Sequence, residues 1–214
     1  SGISQELAEL RKQEINELKY DLRLSIPKQK SMPVEGEIHV RFRLNKAQEV
    51  ILDFREEADK IKEVSANGLP TSYEFRNEHI ILPKNTTQKG ENDIYIRFTA
   101  GNQSLNRNDE FLYTLLVPDR ARTVFPCFEQ PNLKASFTLQ LDIPSEWVAV
   151  SNTYINKEEE REGRKSIYFA PTEPLSTYLF SFVAGKLDKQ EYKEGSRKIS
   201  AYYRETDPKK LAQL

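Results

Sequence analysis

The feature that most constrains this chain is an alternation of apolar and polar residues with a period of two, repeated along most of its length. Tyr20, Leu22, Leu24 and Ile26 alternate with Asp21, Arg23 and Ser25, and Pro27 ends the run. Ile38, Val40, Phe42 and Leu44 alternate with His39, Arg41 and Arg43. Successive side chains of a strand point to opposite faces, so such runs read as antiparallel strands with one dry and one wet face. Val50, Leu52 and Phe54 continue the pattern, as do 79–82, Ile94 to Phe98, and the long run from Leu133 to Ile143. Trp147 to Val150, Ile167 to Phe169 and Ile199 to Tyr203 add further strands, and Asn67-Gly68 is a tight-turn signal. Tyr178 to Ala184 is apolar on both faces, which predicts a central strand covered on both sides. Lys157 to Lys165, charged and holding Gly163, reads as a solvated hairpin tip.

Only one segment carries a helical period. Ile3, Leu7, Leu10, Ile15 and Leu18 recur at three- and four-residue steps, which predicts a helix over 3–18. The expected fold is therefore all-β, a saddle-like β-sandwich of two or more mainly antiparallel sheets with a short N-terminal helix. The expected organisation is a helix at 1–18, an all-β domain at 19–206, and a helix that begins at 207–214. In that last stretch Asp207 is placed as N-cap, Pro208 at the first helical position, and Leu211 and Leu214 on one side. The start without Met and the helix cut off at its beginning read as the ends of a fragment. A removed signal peptide would leave such a start, so the compartment, cytoplasmic or exported, stays open.

Charge excludes some partners. The 32 basic and 33 acidic residues leave a net charge of -1, whereas a nucleic-acid partner calls for a basic surplus on one face. No apolar run approaches the ~20 residues that span a bilayer. Catalytic chemistry is equally hard to place. A catalytic zinc takes three protein ligands, but the chain has two histidines, His39 in mid-strand and His79 opening another, and no HExxH pair. Both read as surface or edge residues. Cys127, the single cysteine, sits among Phe125, Pro126 and Phe128, an apolar setting that makes a thiol inert. There is no GxSxG elbow and no Gly-rich phosphate loop. Asn85-Thr86-Thr87 and Asn102-Gln103-Ser104 fit the glycosylation pattern, which marks loops able to be exposed.

The stretch 101–131 breaks the period. It holds Gly101, Pro118, Pro126 and Pro131, and an irregular segment of that length within a compact domain points to a functional or interface loop. Physically it reads as a proline-stiffened crossover between sheets, in which Phe125 and Phe128 bury against a neighbouring surface and Arg122 pairs with Glu129.

This stretch also carries a resemblance. Tyr113-Thr114, Ala121-Arg122 and the run Phe125-Pro126-Cys127-Phe128-Glu129-Gln130-Pro131-Asn132-Leu133-Lys134-Ala135-Ser136-Phe137 resemble the signature of the aminopeptidase N family of zinc peptidases. Ile143-Pro144, Trp147, Val150-Ser151-Asn152 and the run from Thr177 to Gly185 extend the similarity to about 20–205. The resemblance implies an all-β N-terminal domain packed on a thermolysin-like catalytic domain. That second domain would supply the zinc, its ligands and the GAMEN loop, and peptides would be the substrates of the whole. Arg122, Phe125, Pro126, Phe128, Glu129, Gln130, Pro131 and Lys134 are then mainly structural. In the family a Gln or Glu before the Ala-Arg pair holds the substrate's amino group. Here that place falls at Leu115 or Val117, and an apolar side chain cannot pair with an ammonium. Two other origins remain open: a catalytically inactive relative serving as a binding or scaffold module, and a freestanding β-sandwich module. On any of the three, the 214-residue chain itself is not expected to be catalytic.

Overall fold

The computed structural model describes residues 3–205 and 207–211. Strands and helices are numbered along the chain. The largest sheet has eight strands: β1 (Ile15–Ser25), β2 (Glu35–Leu44), β4 (Ile61–Ala66), β5 (Leu69–Pro70), β8 (Gly90–Thr99), β11 (Ser136–Pro144), β13 (Ile155–Arg161) and β14 (Arg164–Phe169). Their order is β13-β14-β11-β1-β2-β8-β4-β5. A three-stranded sheet holds β3 (Val50–Asp53), β7 (His79–Leu82) and β6 (Glu74–Arg76) in that order. A four-stranded sheet runs β12 (Val148–Ser151), β15 (Phe182–Gly185), β10 (Phe111–Thr114) and β9 (Leu105–Arg107). The hairpin β16 (Asp188–Glu194) and β17 (Arg197–Tyr203) stands as a sheet of its own.

The pairings are antiparallel except β1 with β11, which run parallel with Tyr20 opposite Phe137, Leu22 opposite Leu139 and Leu24 opposite Leu141. These three pairs lie on the buried face. The small sheets contribute Leu52, Ile80 and Leu82 on one side and Leu112, Phe182 and Ala184 on the other, so one continuous core fills the space between sheets. The expected all-β fold of several antiparallel sheets with an N-terminal helix is the one observed. Asn67 and Gly68 both have positive φ (52° and 81°) in the turn joining β4 to β5, as that dipeptide predicts. Both edges of the large sheet are blunted: β5 is two residues ending in Pro70, and β13 is exposed and charged from Lys157 to Arg161. Such edges resist strand addition by another chain.

Two expectations need correction. The N-terminal helix α1 covers Gln5–Glu14, not 3–18. Ser4 caps it by accepting from the Leu7 N–H, and Ile15 is already extended and paired with Leu44. Ile15 and Leu18 belong to β1, where a bulge lies between Asn16 and Lys19 and Glu17 sits at φ 52°. The bulge adds a residue, so both apolar side chains face the core three positions apart, a spacing that imitates a helix. The run 178–184 is the other. Thr177–Leu179 forms a 3-10 turn, and β15 begins only at Phe182. It lies centrally in its sheet, but Val183 is only half-buried, so one face stays partly open. The predicted N-cap at Asp207 is present, its Oδ1 accepting from the Lys209 N–H (2.9 Å) at the start of α2 (Pro208–Leu211). Leu214 lies outside the described residues.

Candidate functional site

The segment after β10 keeps the strand alternation for three more residues. Leu112, Thr114 and Leu116 point inward, while Tyr113, Leu115 and Val117 point to solvent. Leu115 is 53% and Val117 62% exposed, both large values for apolar side chains. The Leu115 N–H donates to the Ser104 oxygen (2.9 Å), and the Arg120 N–H turns back to the Leu116 carbonyl (2.9 Å). Leu115 and Val117 thus stand on a fixed ridge at the end of the four-stranded sheet.

From that ridge the chain dives inward, and every residue from 121 to 130 is buried. Arg122 sits in a 3-10 turn at Ala121–Thr123. Its guanidinium donates to Glu78 (3.1 Å) and Asp119 (3.0 Å), which ties down the turn that follows the ridge. The expected pairing with Glu129 exists in a different form: the Arg122 main-chain N–H donates to Glu129 Oε2 (2.8 Å). Glu129 Oε1 accepts from the Thr177 hydroxyl. Phe125 and Phe128 do not need an outside surface. They bury within this domain, Phe125 edge-on to Phe180 (5.9 Å) and Phe128 edge-on to Phe42 (5.7 Å). The Phe128 N–H donates to the Tyr20 hydroxyl (2.8 Å). Pro126 is buried, Pro131 is exposed while its carbonyl accepts from the Ser176 hydroxyl (2.6 Å), and Lys134 is exposed. Gln130 reaches back to helix α1, donating to the Ala8 carbonyl (2.9 Å). The loop is therefore a crossover fastened to both flanking sheets, by an isolated bridge between Cys127 and Asp53 of β3 on one side and by the Phe128 N–H on Tyr20 of β1 on the other.

Beneath it lies a buried ionic cluster that sequence reasoning missed. Asp53 accepts from both terminal nitrogens of Arg11 (2.8 Å each) and from the Glu129 N–H (2.8 Å). Asp53 is fully buried and Arg11 is 3% exposed. His79 Nδ1 lies 2.9 Å from Asp53 Oδ1, out of line for a directed hydrogen bond. Arg11 also lies over the Phe128 ring (5.2 Å). Burial alone would push the Asp53 carboxyl up, but His79, Arg11 and the Glu129 N–H together hold it below the usual carboxylate range. Glu129 is displaced the other way: burial pushes it up, and the Thr177 and Arg122 hydrogen bonds offset only part of that. Burial likewise drives the Cys127 thiol well up, which agrees with an inert structural cysteine. Leu7, Arg11 and Ile15 stand at four-residue steps, so Arg11 occupies the apolar side of the helical pattern. That was the available signal for a buried arginine.

A carboxylate raised by burial destabilises the folded state as it ionises, so its contribution weakens as pH rises from the usual carboxylate pKa toward the raised one. Glu129→Gln removes this titration. Its amide oxygen can accept from Arg122 while its NH2 donates to the rotatable Thr177 hydroxyl. We expect E129Q to cost less than about 1 kcal/mol at neutral pH and to flatten that limb of the stability profile, read by urea unfolding between pH 4 and 8.

No group of three or more His, Cys, Asp and Glu is arranged to hold a metal among the described residues. Each histidine faces a carboxylate, His39 lying 2.8 Å from Asp93. No helix is long and apolar enough to cross a membrane among the described residues. Asn85 and Asn102 are both exposed.

Comparison with known proteins bears on what such a loop serves. The Peptidase M1 N-terminal domain matches residues 16–179. The chain belongs to that family. It is 28% identical over 209 residues to aminopeptidase 2, mitochondrial, of Saccharomyces cerevisiae, covering 86% of this chain and 22% of the yeast protein. It is 34% identical over 97 residues to human glutamyl aminopeptidase, covering 45% of this chain and 10% of that protein. The crystal structure of an M1 zinc metallopeptidase from Deinococcus radiodurans shares the fold, with a TM-score of 0.70 at 17% identity over 87% of this chain and 46% of that one. A second structure, described as a two-domain M1 zinc metallopeptidase bound to L-arginine, gives a TM-score of 0.68 at 18% identity with the same coverage. The chain thus spans about a fifth of the yeast relative and under half of the solved ones. The match at 16–179 takes in the whole motif loop and begins just after helix α1.

Proposed function

We propose that this chain is the non-catalytic N-terminal domain of a zinc-dependent aminopeptidase that removes N-terminal residues from peptides. The observation that carries this reading is the motif loop 121–130, buried and fastened to two sheets, inside a segment that belongs to the M1 family. The loop's burial makes it scaffold, and the ridge that leads into it, at Leu115 and Val117, is the part free to meet something else. The chain then forms part of the cleft wall and packs on the catalytic domain of the same polypeptide. Leu115 and Val117 are the residues proposed to lie near the substrate. The donors present here do not fit a catalytic zinc, because three convergent ligands are required and no three or more His, Cys, Asp and Glu are so grouped among the described residues. Zinc belongs to the catalytic domain, where a bound zinc supplies an activated water for hydrolysis.

Aminoacyl-4-nitroanilides test this on two proteins, the 214-residue chain and the longest polypeptide the gene encodes, each with and without a zinc chelator. Cleavage by the longer protein alone, lost with chelator, is the expected result. Silence from both would shift the reading to an inactive relative used as a binding or scaffold module, which the apolar ridge would suit. Cleavage by the 214-residue chain would overturn the proposal.

A further inference from the structure

The open face of the large sheet carries a row of side chains that neither the motif loop nor the ridge uses. Tyr168 of β14 stands opposite Gln140 of β11, Gln140 opposite Arg23 of β1, and Arg23 opposite Glu37 of β2. Two residues along, Asp21 stands opposite His39. Alternation puts all six on the face turned away from the core, while Leu22, Ile38, Leu139 and Leu141 are buried on the other. Neighbouring strands lie ~4.8 Å apart, so the row from Tyr168 to Glu37 spans ~14 Å. The six line a hollow of about 300 Å³. A second hollow of about 380 Å³ shares Arg23 and Glu37 with it and continues to Arg97. Arg23, Glu37 and His39 keep 51, 42 and 38% of their side-chain surface exposed, so no described element covers the row.

All of the six but Glu37 are held from outside the first hollow. Asp93 accepts from the His39 Nδ1–H (2.8 Å), which in the neutral ring leaves Nε2 as an acceptor. Asp142 holds Arg23 through Nε (2.8 Å), and Nη1 stands 3.9 Å from Glu37. The same carboxylate accepts from the Gln140 amide (3.2 Å). Glu159 accepts from the Tyr168 hydroxyl (3.0 Å), and Asp21 pairs with Arg41. Asp93, Asp142, Glu159 and Arg41 do not line this hollow themselves. Side chains locked by partners behind them, with their other polar ends left open, form a preorganised site.

We propose that this trough binds an uncharged oligosaccharide, whose hydroxyls meet Arg23, Glu37 and His39 and whose apolar ring face meets Tyr168. Two carboxylates against one guanidinium turn an anion away. Neither carboxylate is left for a cation, because Asp21 pairs with Arg41 and Glu37 stands between Arg23 and Arg97. The row instead offers donors, Arg23 and Gln140, interleaved with acceptors, Glu37, Asp21 and His39 Nε2. A hydroxyl is the group that both donates and accepts. Tyr168 adds a flat apolar surface. Lys157 of β13 lies over its ring (5.5 Å), and the hollow adjoins it from the β11 side. The joined hollows select a chain of sugars over a single one. The site is independent of the aminopeptidase reading.

Isothermal titration of the 214-residue chain with maltohexaose, cellohexaose and mannohexaose, and with the methyl glycosides of glucose and mannose, tests this. At least one hexaose should bind, about tenfold or more tighter than the methyl glycoside of its sugar, because only a chain reaches both hollows. His39→Phe keeps a ring against Tyr95, which His39 meets at 5.0 Å, but removes Nε2. Tyr168→Leu keeps an apolar side chain but removes the ring. Each should weaken that hexaose by about tenfold. Arg43→Ala, on the same face but lining neither hollow, should leave it unchanged. Gln140→Ala replaces either variant if its melting curve departs from the wild type. No binding by any of the five sugars, equal binding of hexaose and methyl glycoside, or unchanged binding by the variants would each overturn the proposal. Tighter binding of hexagalacturonate, a polyanion, than of any neutral chain would overturn it as well.

Discussion

Asp53→Ala should destabilise the domain by about 3–5 kcal/mol, because it strands a buried arginine. Arg11 is 3% exposed, and both of its terminal nitrogens point at the Asp53 carboxylate. Without that carboxylate the guanidinium keeps only the Ile51 carbonyl (2.7 Å) and the Phe128 ring as partners. The Glu129 N–H loses its acceptor as well, and an unsatisfied buried donor costs about 1–3 kcal/mol. Arg11→Met should cost less than Asp53→Ala, since Asp53 would retain the Glu129 N–H and the His79 contact. The double variant should fall below the sum of the two, because each single change leaves a charge that the other removes. The pH dependence has a definite sign. Asp53 is held below its usual value in the folded state, so its contribution is fully present above about pH 4. It is lost as pH falls through the lowered folded pKa. Asp53→Ala should therefore flatten the acid limb of the stability profile. Urea unfolding from pH 2 to 7 on the wild type and the three variants measures all of this. A cost below 1 kcal/mol for D53A would mean that Arg11 escapes to solvent and that the pair does not hold α1 in place.

The strands that sequence reasoning finds are those in which alternation runs without a break. β1 from Tyr20 and β2 keep strict period two, and β8 and β11 keep it as far as Phe98 and Leu141, because over those lengths each has one face in the core and a more open face opposite. The strands it misses have a physical reason to look otherwise. In β4 the register shifts between Ile61 and Glu63, so Ile61 and Val64 face inward three positions apart. That is the device that disguised Ile15 and Leu18. β9 is three residues long, and β16 is exposed along nearly all its length, so neither has a periodic burial to display. The motif loop was legible as a segment, but its partners were not. Arg11, Glu78 and Thr177 lie 118, 51 and 48 positions from Glu129 in sequence, and only the folded sheets bring them near the loop. Leu115 and Val117 were legible as the points where polar residues are missing. Their exposure was not, since it depends on the strand direction of β10 persisting past its last paired residue.

Phe137→Ala should cost about 3–5 kcal/mol and lower Tm by roughly 10 °C. Phe137 lies on β11 at the parallel seam of the large sheet, opposite Tyr20, and is 1% exposed. Its ring stacks on Phe180 at 4.4 Å, tilts against Tyr20 at 4.9 Å and meets Phe125 edge-on at 6.3 Å. Those three come from the turn before β15, from β1 and from the motif loop. One side chain therefore touches the large sheet, the four-stranded sheet's approach and the crossover between them. Removing it opens a cavity whose walls are held by separate sheets and cannot easily collapse, which places the cost toward the upper end of the range. Phe137→Leu keeps much of the buried area but loses the ring contacts, and should cost about 1–2 kcal/mol. The same truncation at an edge of the core should be milder. Ile61 lies on β4, next to the edge strand β5, and is 7% exposed, so Ile61→Ala should cost about 2 kcal/mol. Calorimetry on the three variants gives the order directly. Should F137A and I61A melt together, the junction at Phe137 would be no more important than any other buried apolar site. The sheets would then be held by area alone.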